Sequence, residues 1–150
     1  MSFYSNGDKG TTSNGYELGG GDGNDNVIIV SYGESTGYFA FGQHKTYANT
    51  GQTGFYYTQL SGATSPYDML GYKNGVEVIN TTSSDSYGNN IYLSVLGDNR
   101  ATIPLSNLVE PSDKRMCWAS YGDDLTSTQI SQYESIINTF QTALGRNAYT

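Results

Sequence analysis

A chain of 150 residues, with 36% hydrophobic and 13% aromatic residues, is long enough for one folded domain whose core is rich in rings. Its net charge of −7 disfavours nucleic-acid binding, which needs a basic surface, and its single cysteine excludes an internal disulfide and a zinc site made of thiolates. No apolar run is long enough to span a membrane, so we expect one domain over residues 1–150 without membrane insertion.

Short strands separated by Gly-rich turns are the main pattern along the chain. Residues 1–26 are rich in Gly, Asn, Asp and Ser, with one expected strand near residues 15–18. Asn74-Gly75 predicts a type I′ hairpin turn, because both residues of that turn must adopt positive φ. This rhythm suggests a β-sandwich or barrel. The other expected strands cover residues 27–32, 38–41, 54–58, 69–73, 76–79, 91–96, 101–105 and 116–121.

One amphipathic helix is expected over about residues 126–144. Thr126 and Gln129 have the spacing of a capping box, and Leu125 precedes them as half of a hydrophobic staple. Gly145 stands where a helix commonly ends on a left-handed residue. Steps of three and four between apolar residues predict one buried stripe that packs on a sheet. Its members are Ile130, Tyr133, Ile137, Phe140 and Leu144.

Four motifs follow one another in the second half of the chain. They are LGYKNGV at residues 70–76, NIYL at 90–93, CWASYGDDLT at 117–126 and FQTALGR at 140–146. In this order they resemble the C-terminal half of a concanavalin A-like lectin/glucanase domain. More narrowly, they are similar to the laminin-G-like version that is common in bacteriophage tail and virion proteins and in some bacterial surface proteins. The resemblance covers residues 68–147 well and residues 3–60 only loosely.

The resemblance implies an all-β fold, an antiparallel jelly-roll sandwich with one C-terminal α-helix. Such domains usually carry several more strands upstream of the region that corresponds to Met1. Either this fold is a trimmed version, or the chain is a fragment, or another chain completes the sheets. Because exposed sheet edges favour pairing with a neighbour, we expect a homo-oligomer.

A glycine-rich segment at residues 20–28 matches the repeat of calcium-binding β-rolls. Its candidate calcium ligands are Asp22, Asn24 and Asp25, since hard oxygen atoms suit calcium. A β-roll binds each ion between successive repeats, however, and this chain has one copy. We therefore expect a Gly/Asn-rich turn and no cofactor, with a calcium site as the alternative.

The carboxylates do not form the pattern of a glycosidase. Enzymes of the concanavalin A-like group place paired carboxylates at alternate positions of one strand, which brings acid and nucleophile to one glycosidic bond. None of the five glutamates belongs to such a motif. Asp123-Asp124 precedes the helix, where the helix dipole favours negative charge. We expect no enzymatic activity.

Tyrosines beside polar residues are the best candidates for a binding site, because sugars stack on rings and bond to Asn and Asp. The alternative is that many of these rings fill the core, as we expect for Trp118. Alternation predicts that Phe55 and Tyr57 share one face of their strand and Tyr56 the other. The candidate ligand-binding residues are Tyr47, Asn49, Tyr56, Tyr57, Tyr67 and Asp68.

These observations favour a non-catalytic surface module of a virion, on a tail fibre, baseplate or capsid, that binds glycans or a host surface. The N-terminal residues lack the layout of a secretion signal, which agrees with synthesis in the host cytoplasm and assembly with other virion subunits. An extracellular or cell-surface location is the alternative. In function, the alternative is a purely structural assembly or decoration protein without a ligand.

Overall fold

The fold is given by a computed structural model. It describes residues 2–7, 18–21, 26–32, 36–41, 43–48, 53–62, 64–83, 94–95, 98–99, 108–109 and 115–146. Across these residues the chain is mostly antiparallel strand, with one helix near the C-terminus. The elements are β1 (Ser2–Gly7), β2 (Leu18–Gly21), β3 (Asn26–Tyr32), β4 (Thr36–Phe41), β5 (Gln43–Ala48), β6 (Gly54–Ser61), β7 (Tyr67–Lys73), β8 (Val76–Ser83), β9 (Ser94–Val95), β10 (Asp98–Asn99), β11 (Leu108–Val109), β12 (Arg115–Ser120) and α1 (Ser127–Ala143).

The strands form two five-stranded sheets. The first sheet has the order β12-β1-β6-β7-β8 and the second has the order β5-β4-β3-β2-β9, while β10 and β11 pair separately. In the first sheet, β1 lies between β6 and β12, so the N-terminal strand pairs with one strand from the middle of the chain and one from near its C-terminus. This strand was not expected, because residues 1–26 read as turns with a single strand near 15–18. The structure instead has strands at Ser2–Gly7 and Leu18–Gly21.

The hairpin between β7 and β8 is confirmed. Asn74 and Gly75 have φ values of 51° and 72°, as the predicted turn requires. Asn74 also binds the start of β6, since its N–H donates to the carbonyl of Phe55 at 2.8 Å and its Oδ1 accepts from the N–H of Phe55 at 2.9 Å. The turn is thus held both by its own backbone conformation and by β6.

Both ends of α1 are as the sequence predicts. The Thr126 hydroxyl accepts from the N–H of Gln129, whose side chain accepts in return from the N–H of Thr126 at 2.8 Å. At the other end, Gly145 has φ of 67°. The N–H groups of Gly145 and Arg146 donate to the carbonyls of Thr142 and Gln141, the two bonds of a Schellman motif.

The helix packs on one face of the first sheet. Its buried Ile130 and Ile137 join rings from three strands in one cluster. Trp118 was expected in the core, and it is half-buried at the margin of this cluster. The sheet contributes the buried rings of Tyr4, Phe55, Tyr57 and Tyr72. Partly buried residues pack against this cluster from the sheet (Leu70, Cys117 and Trp118), from the segment before the helix (Leu125) and from the helix itself (Tyr133).

The stripe predicted for α1 is wrong in its last turn. Phe140 and Leu144 are 46% and 49% exposed, whereas Gln141 is fully buried. Ile130, Ile137 and Gln141 lie within a narrow arc at the middle of the helix face that meets the sheet, and Phe140 lies outside this arc. Phe140 is turned to one flank, where its ring makes an edge contact with Trp118 at 6.2 Å.

The opposite face of the first sheet is also buried. Alternate residues of β6 and β7 that point away from α1 include Tyr56, Thr58 and Met69, all fully buried. Lys73 lies beside Tyr56, with its ammonium 5.5 Å from the centre of that ring. Both faces of the first sheet are therefore buried around β6, and the helix covers only one of them.

Candidate functional site

The residues predicted to bind a ligand lie in different environments. Tyr47, Tyr56 and Tyr57 are buried, with 8%, 0% and 3% of their surface exposed. Tyr67 is half-buried and Asp68 is exposed. The remaining predicted residues, Asn49 and the candidate calcium ligands Asp22, Asn24 and Asp25, lie outside the described residues.

The strand register separates the predicted residues onto two faces. Tyr57 pairs with Tyr72, and Asp68 pairs with Ser61, which lies four residues after Tyr57 on β6. These positions alternate with Tyr56 and Tyr67, so Tyr57 and Asp68 share the face that carries α1. The predicted alternation of Phe55, Tyr56 and Tyr57 is confirmed, since Phe55 and Tyr57 join the cluster under the helix.

A polar surface lies on this same face, over β7 and the edge strand β8. Its rows are set by the antiparallel register, in which Asp68 pairs with Thr82 and Leu70 with Asn80. Four of its side chains are exposed and Leu70 is half-buried. We call this set the β7–β8 surface: Asp68, Leu70, Glu77, Asn80 and Thr82.

Hydrogen bonds orient the Glu77 carboxylate, which lies at the hairpin end of the β7–β8 surface. The Tyr72 hydroxyl donates to one oxygen of Glu77 at 3.2 Å, and the Asn80 amide donates to the other at 3.0 Å. Burial, followed by the bond to Glu77, raises the pKa of Tyr72. Tyr72 therefore stays a neutral donor, and the orientation of Glu77 is set before any ligand arrives.

A second network ties the start of α1 to the sheet beside this surface. The Tyr57 hydroxyl donates to Gln59 Oε1 at 2.7 Å, and the N–H of Leu125 donates to the same oxygen at 2.9 Å. Burial is the main cause that raises the pKa of Tyr57 to about 12, with the charge of Asp124 adding to it. Tyr57 thus holds the fold together and is not presented to solvent.

The β7–β8 surface offers carboxylate and hydroxyl oxygens and one side-chain amide around one apolar side chain. Such a set suits a ligand rich in hydroxyl groups, whose C–H faces need an apolar contact as well. Sequence reasoning identified Asp68 but missed Glu77, Asn80 and Thr82. Alternation along β8 after the Asn-Gly turn was the available signal, although the bulge near Gly71 shifts the pairing.

Within the described ranges, no group of three or more His, Cys, Asp or Glu side chains is placed to hold a metal ion. The described part of the chain contains no helix that is both long and apolar enough to cross a membrane. Comparisons with protein-family models, with curated proteins and with solved structures gave no match. The resemblance to concanavalin A-like domains therefore stays a prediction from the motifs.

Proposed function

We propose that this chain is a non-catalytic β-sandwich module that binds glycans through the β7–β8 surface. The burial of both faces of the first sheet supports a sandwich, because the helix covers only one of them. β5 of the second sheet lies beside β8 of the first, which also suits two packed layers. The jelly-roll topology follows from the resemblance of the motifs at residues 70–76 and 117–126.

The observation that carries the binding proposal is the exposed polar row on a rigid scaffold. Asp68, Asn80 and Thr82 project from hydrogen-bonded strands, so little backbone freedom is lost when a ligand binds. Glu77 is already oriented by two donors. A row of acceptors with one amide on a fixed backbone can bind several sugar hydroxyls at once.

A place on a virion, on a tail fibre, baseplate or capsid, is proposed from the motif resemblance alone. In that setting a glycan on the host surface is the expected ligand, and other virion subunits are the expected neighbours. Since each oxygen of Glu77 already accepts a hydrogen bond from the protein, we assign this carboxylate to binding and not to catalysis.

The second candidate function is an assembly or decoration protein without a ligand. The observation that favours it is the exposure of large apolar side chains on α1, where Ile136 is 65% exposed. Exposed apolar surface of this kind is typical of contacts between proteins. A glycan array separates the two candidates, because an assembly protein would bind no glycan above background.

The glycan test uses Asp68→Ala and Asn80→Ala, with Gln132→Ala as the matched control. Gln132 carries an exposed amide on the outer side of α1, away from the β7–β8 surface. Loss of one buried hydrogen bond at a binding site weakens affinity by about tenfold. We expect that loss for Asp68→Ala and Asn80→Ala, and unchanged binding for the control.

Two results would contradict the proposal. One is an array without any bound glycan, and the other is bound glycan whose affinity is the same in Asn80→Ala as in the unaltered chain. Substitution of Tyr57 does not serve as a test, because this buried ring stabilises the fold. Release of free sugar from a bound polysaccharide would show that the module is catalytic after all.

A further inference from the structure

The turn between β7 and β8 contains a chemically reactive pair, because an asparagine is followed there by a glycine. The backbone nitrogen of Gly75 can attack Cγ of Asn74, and glycine hinders this approach least because it has no side chain. The attack closes a five-membered succinimide ring, and the amide nitrogen leaves as ammonia with the hydrogen from Gly75. Water then opens the ring to aspartate or isoaspartate, so one water is consumed for each ammonia released.

In the folded chain, β6 holds the Asn74 side chain away from this reaction. Its Oδ1 accepts from the N–H of Phe55 at 2.9 Å, and its own N–H donates to the carbonyl of Phe55 at 2.8 Å. The amide also fills the space beside Gly54, where an added Cβ would meet Oδ1. Ring closure needs Cγ to swing towards the Gly75 nitrogen, and this rotation breaks the bond between Oδ1 and Phe55.

The helix places a second obstacle at the same turn. The Glu134 carboxylate lies against Gly75, since a Cβ added at that glycine would meet both of its oxygens. The attacking nitrogen must give up its proton, and a negative charge close by disfavours the anion that forms. The carbon under attack is thus held by β6, while the attacking nitrogen lies beside a carboxylate on α1.

We propose that Asn74 is a conformation-dependent modification site, whose amide converts to aspartate or isoaspartate only after the β7–β8 hairpin has separated from β6. Two hydrogen bonds must break first, so the open hairpin is a minor state and conversion in the folded chain is slower by at least about tenfold than in an unfolded chain.

The conversion is one-way. Isoaspartate carries one more carbon atom in its backbone, so it does not fit the two-residue turn that Asn74 and Gly75 form. The damage falls at the hairpin end of the β7–β8 surface, two residues before Glu77. The inference itself rests on the contacts of the turn and does not depend on glycan binding.

Peptide mapping by mass spectrometry tests the proposal on the full chain, incubated at mildly alkaline pH with and without denaturing guanidinium chloride. We expect Asn74 to convert at least about tenfold more slowly in the folded chain. The sequence also contains Asn6-Gly7 and Asn14-Gly15, and all three pairs should convert at similar rates in the unfolded chain. Equal rates at Asn74 in the folded and unfolded chains would overturn the proposal.

A variant at Gly54 tests the contact with β6. Gly54→Ala places a Cβ against the Asn74 amide, so Asn74 should convert faster than in the unaltered chain while circular dichroism shows that the chain is folded. A folded Gly54→Ala chain in which Asn74 converts no faster would overturn the proposal. If this variant does not fold, the comparison of the folded and unfolded unaltered chain decides.

A variant at Glu134 tests the contribution of α1. Glu134→Gln removes the charge beside Gly75 and should raise the rate at Asn74 by about twofold to fivefold. Asp123→Asn is the matched control, because this exposed carboxylate precedes the helix start, at the end of α1 that lies away from the hairpin, and we expect no change. Equal rates in the two variants would overturn the part of the proposal that concerns α1.

Discussion

The hydroxyl of Tyr133 joins α1 to both strands at one side of the first sheet, and its removal gives a sharp test of the fold. It accepts from Trp118 Nε1 at 2.9 Å, lies 2.6 Å from the Ser120 hydroxyl, and accepts from the Ser2 hydroxyl at 3.4 Å. Tyr133→Phe keeps the ring, which packs edge-on against Phe55 at 5.7 Å. The substitution therefore removes the hydrogen bonds without opening a large cavity.

The expected cost follows from which groups lose their partner. The hydroxyls of Ser2 and Ser120 remain bonded to each other at 2.8 Å, so neither is left alone. The indole N–H of Trp118 has lost its acceptor, and a buried donor without a partner costs about 1–3 kcal/mol. Because Trp118 is only half-buried, we expect the free energy of unfolding to fall by about 1–2 kcal/mol. For a domain of this size Tm should fall by about 2–8 °C.

Urea unfolding followed by circular dichroism measures this loss, with Tyr121→Phe as the control. Tyr121 is 81% exposed, so removal of its hydroxyl should change stability by less than about 0.5 kcal/mol. In a Trp118→Phe background the cost of Tyr133→Phe should shrink, because no indole donor remains. A cost for Tyr133→Phe as small as that for Tyr121→Phe, or one that is independent of Trp118, would refute this reasoning.

Two further predictions concern the sheet under the helix. The pKa of Tyr57 is raised to about 12, so its stabilising contribution is complete below pH 10 and is lost as the pH rises from 10 to 12. Tyr57→Phe should therefore lose less stability than the unaltered chain over this range when unfolding by urea is measured at each pH. Equal losses in the two proteins would contradict the prediction. Gly75→Ala should destabilise the chain by about 1–2 kcal/mol through its positive φ alone, and by more because the added Cβ would meet the Glu134 carboxylate. Thermal melting should show a smaller cost of Gly75→Ala in a Glu134→Ala background, whereas equal costs would show that the two residues do not touch.

Features that depend on neighbours within a few residues were predictable from the sequence. The Asn74-Gly75 turn and the capping box of Thr126 and Gln129 occur where the sequence places them. In each case the residue types supply the required backbone angles or hydrogen bonds locally. The same holds for the two faces of β6, since alternation follows from strand geometry alone.

The candidate site was only partly predictable, because it is assembled from two strands. Asp68 was identified from its position beside Tyr67, but its exposed neighbours Asn80 and Thr82 come to it through the register of β8. Conversely, Tyr56 and Tyr57 looked like ligand contacts and are buried on opposite faces of one strand. The sequence shows that a position carries an apolar ring, but it does not show which part of the fold will cover that ring.

The sequence by itself therefore determined the mainly β character, the hairpin turn, and the beginning and end of α1. Tertiary structure decided that Ser2–Gly7 pairs with β6 and β12, and that Gln141 is buried where Phe140 is exposed. The physical reason is the range of the interactions involved. Turns and caps are stabilised by atoms a few residues apart, whereas strand neighbours and the buried arc of a helix depend on surfaces that meet only after the chain has folded.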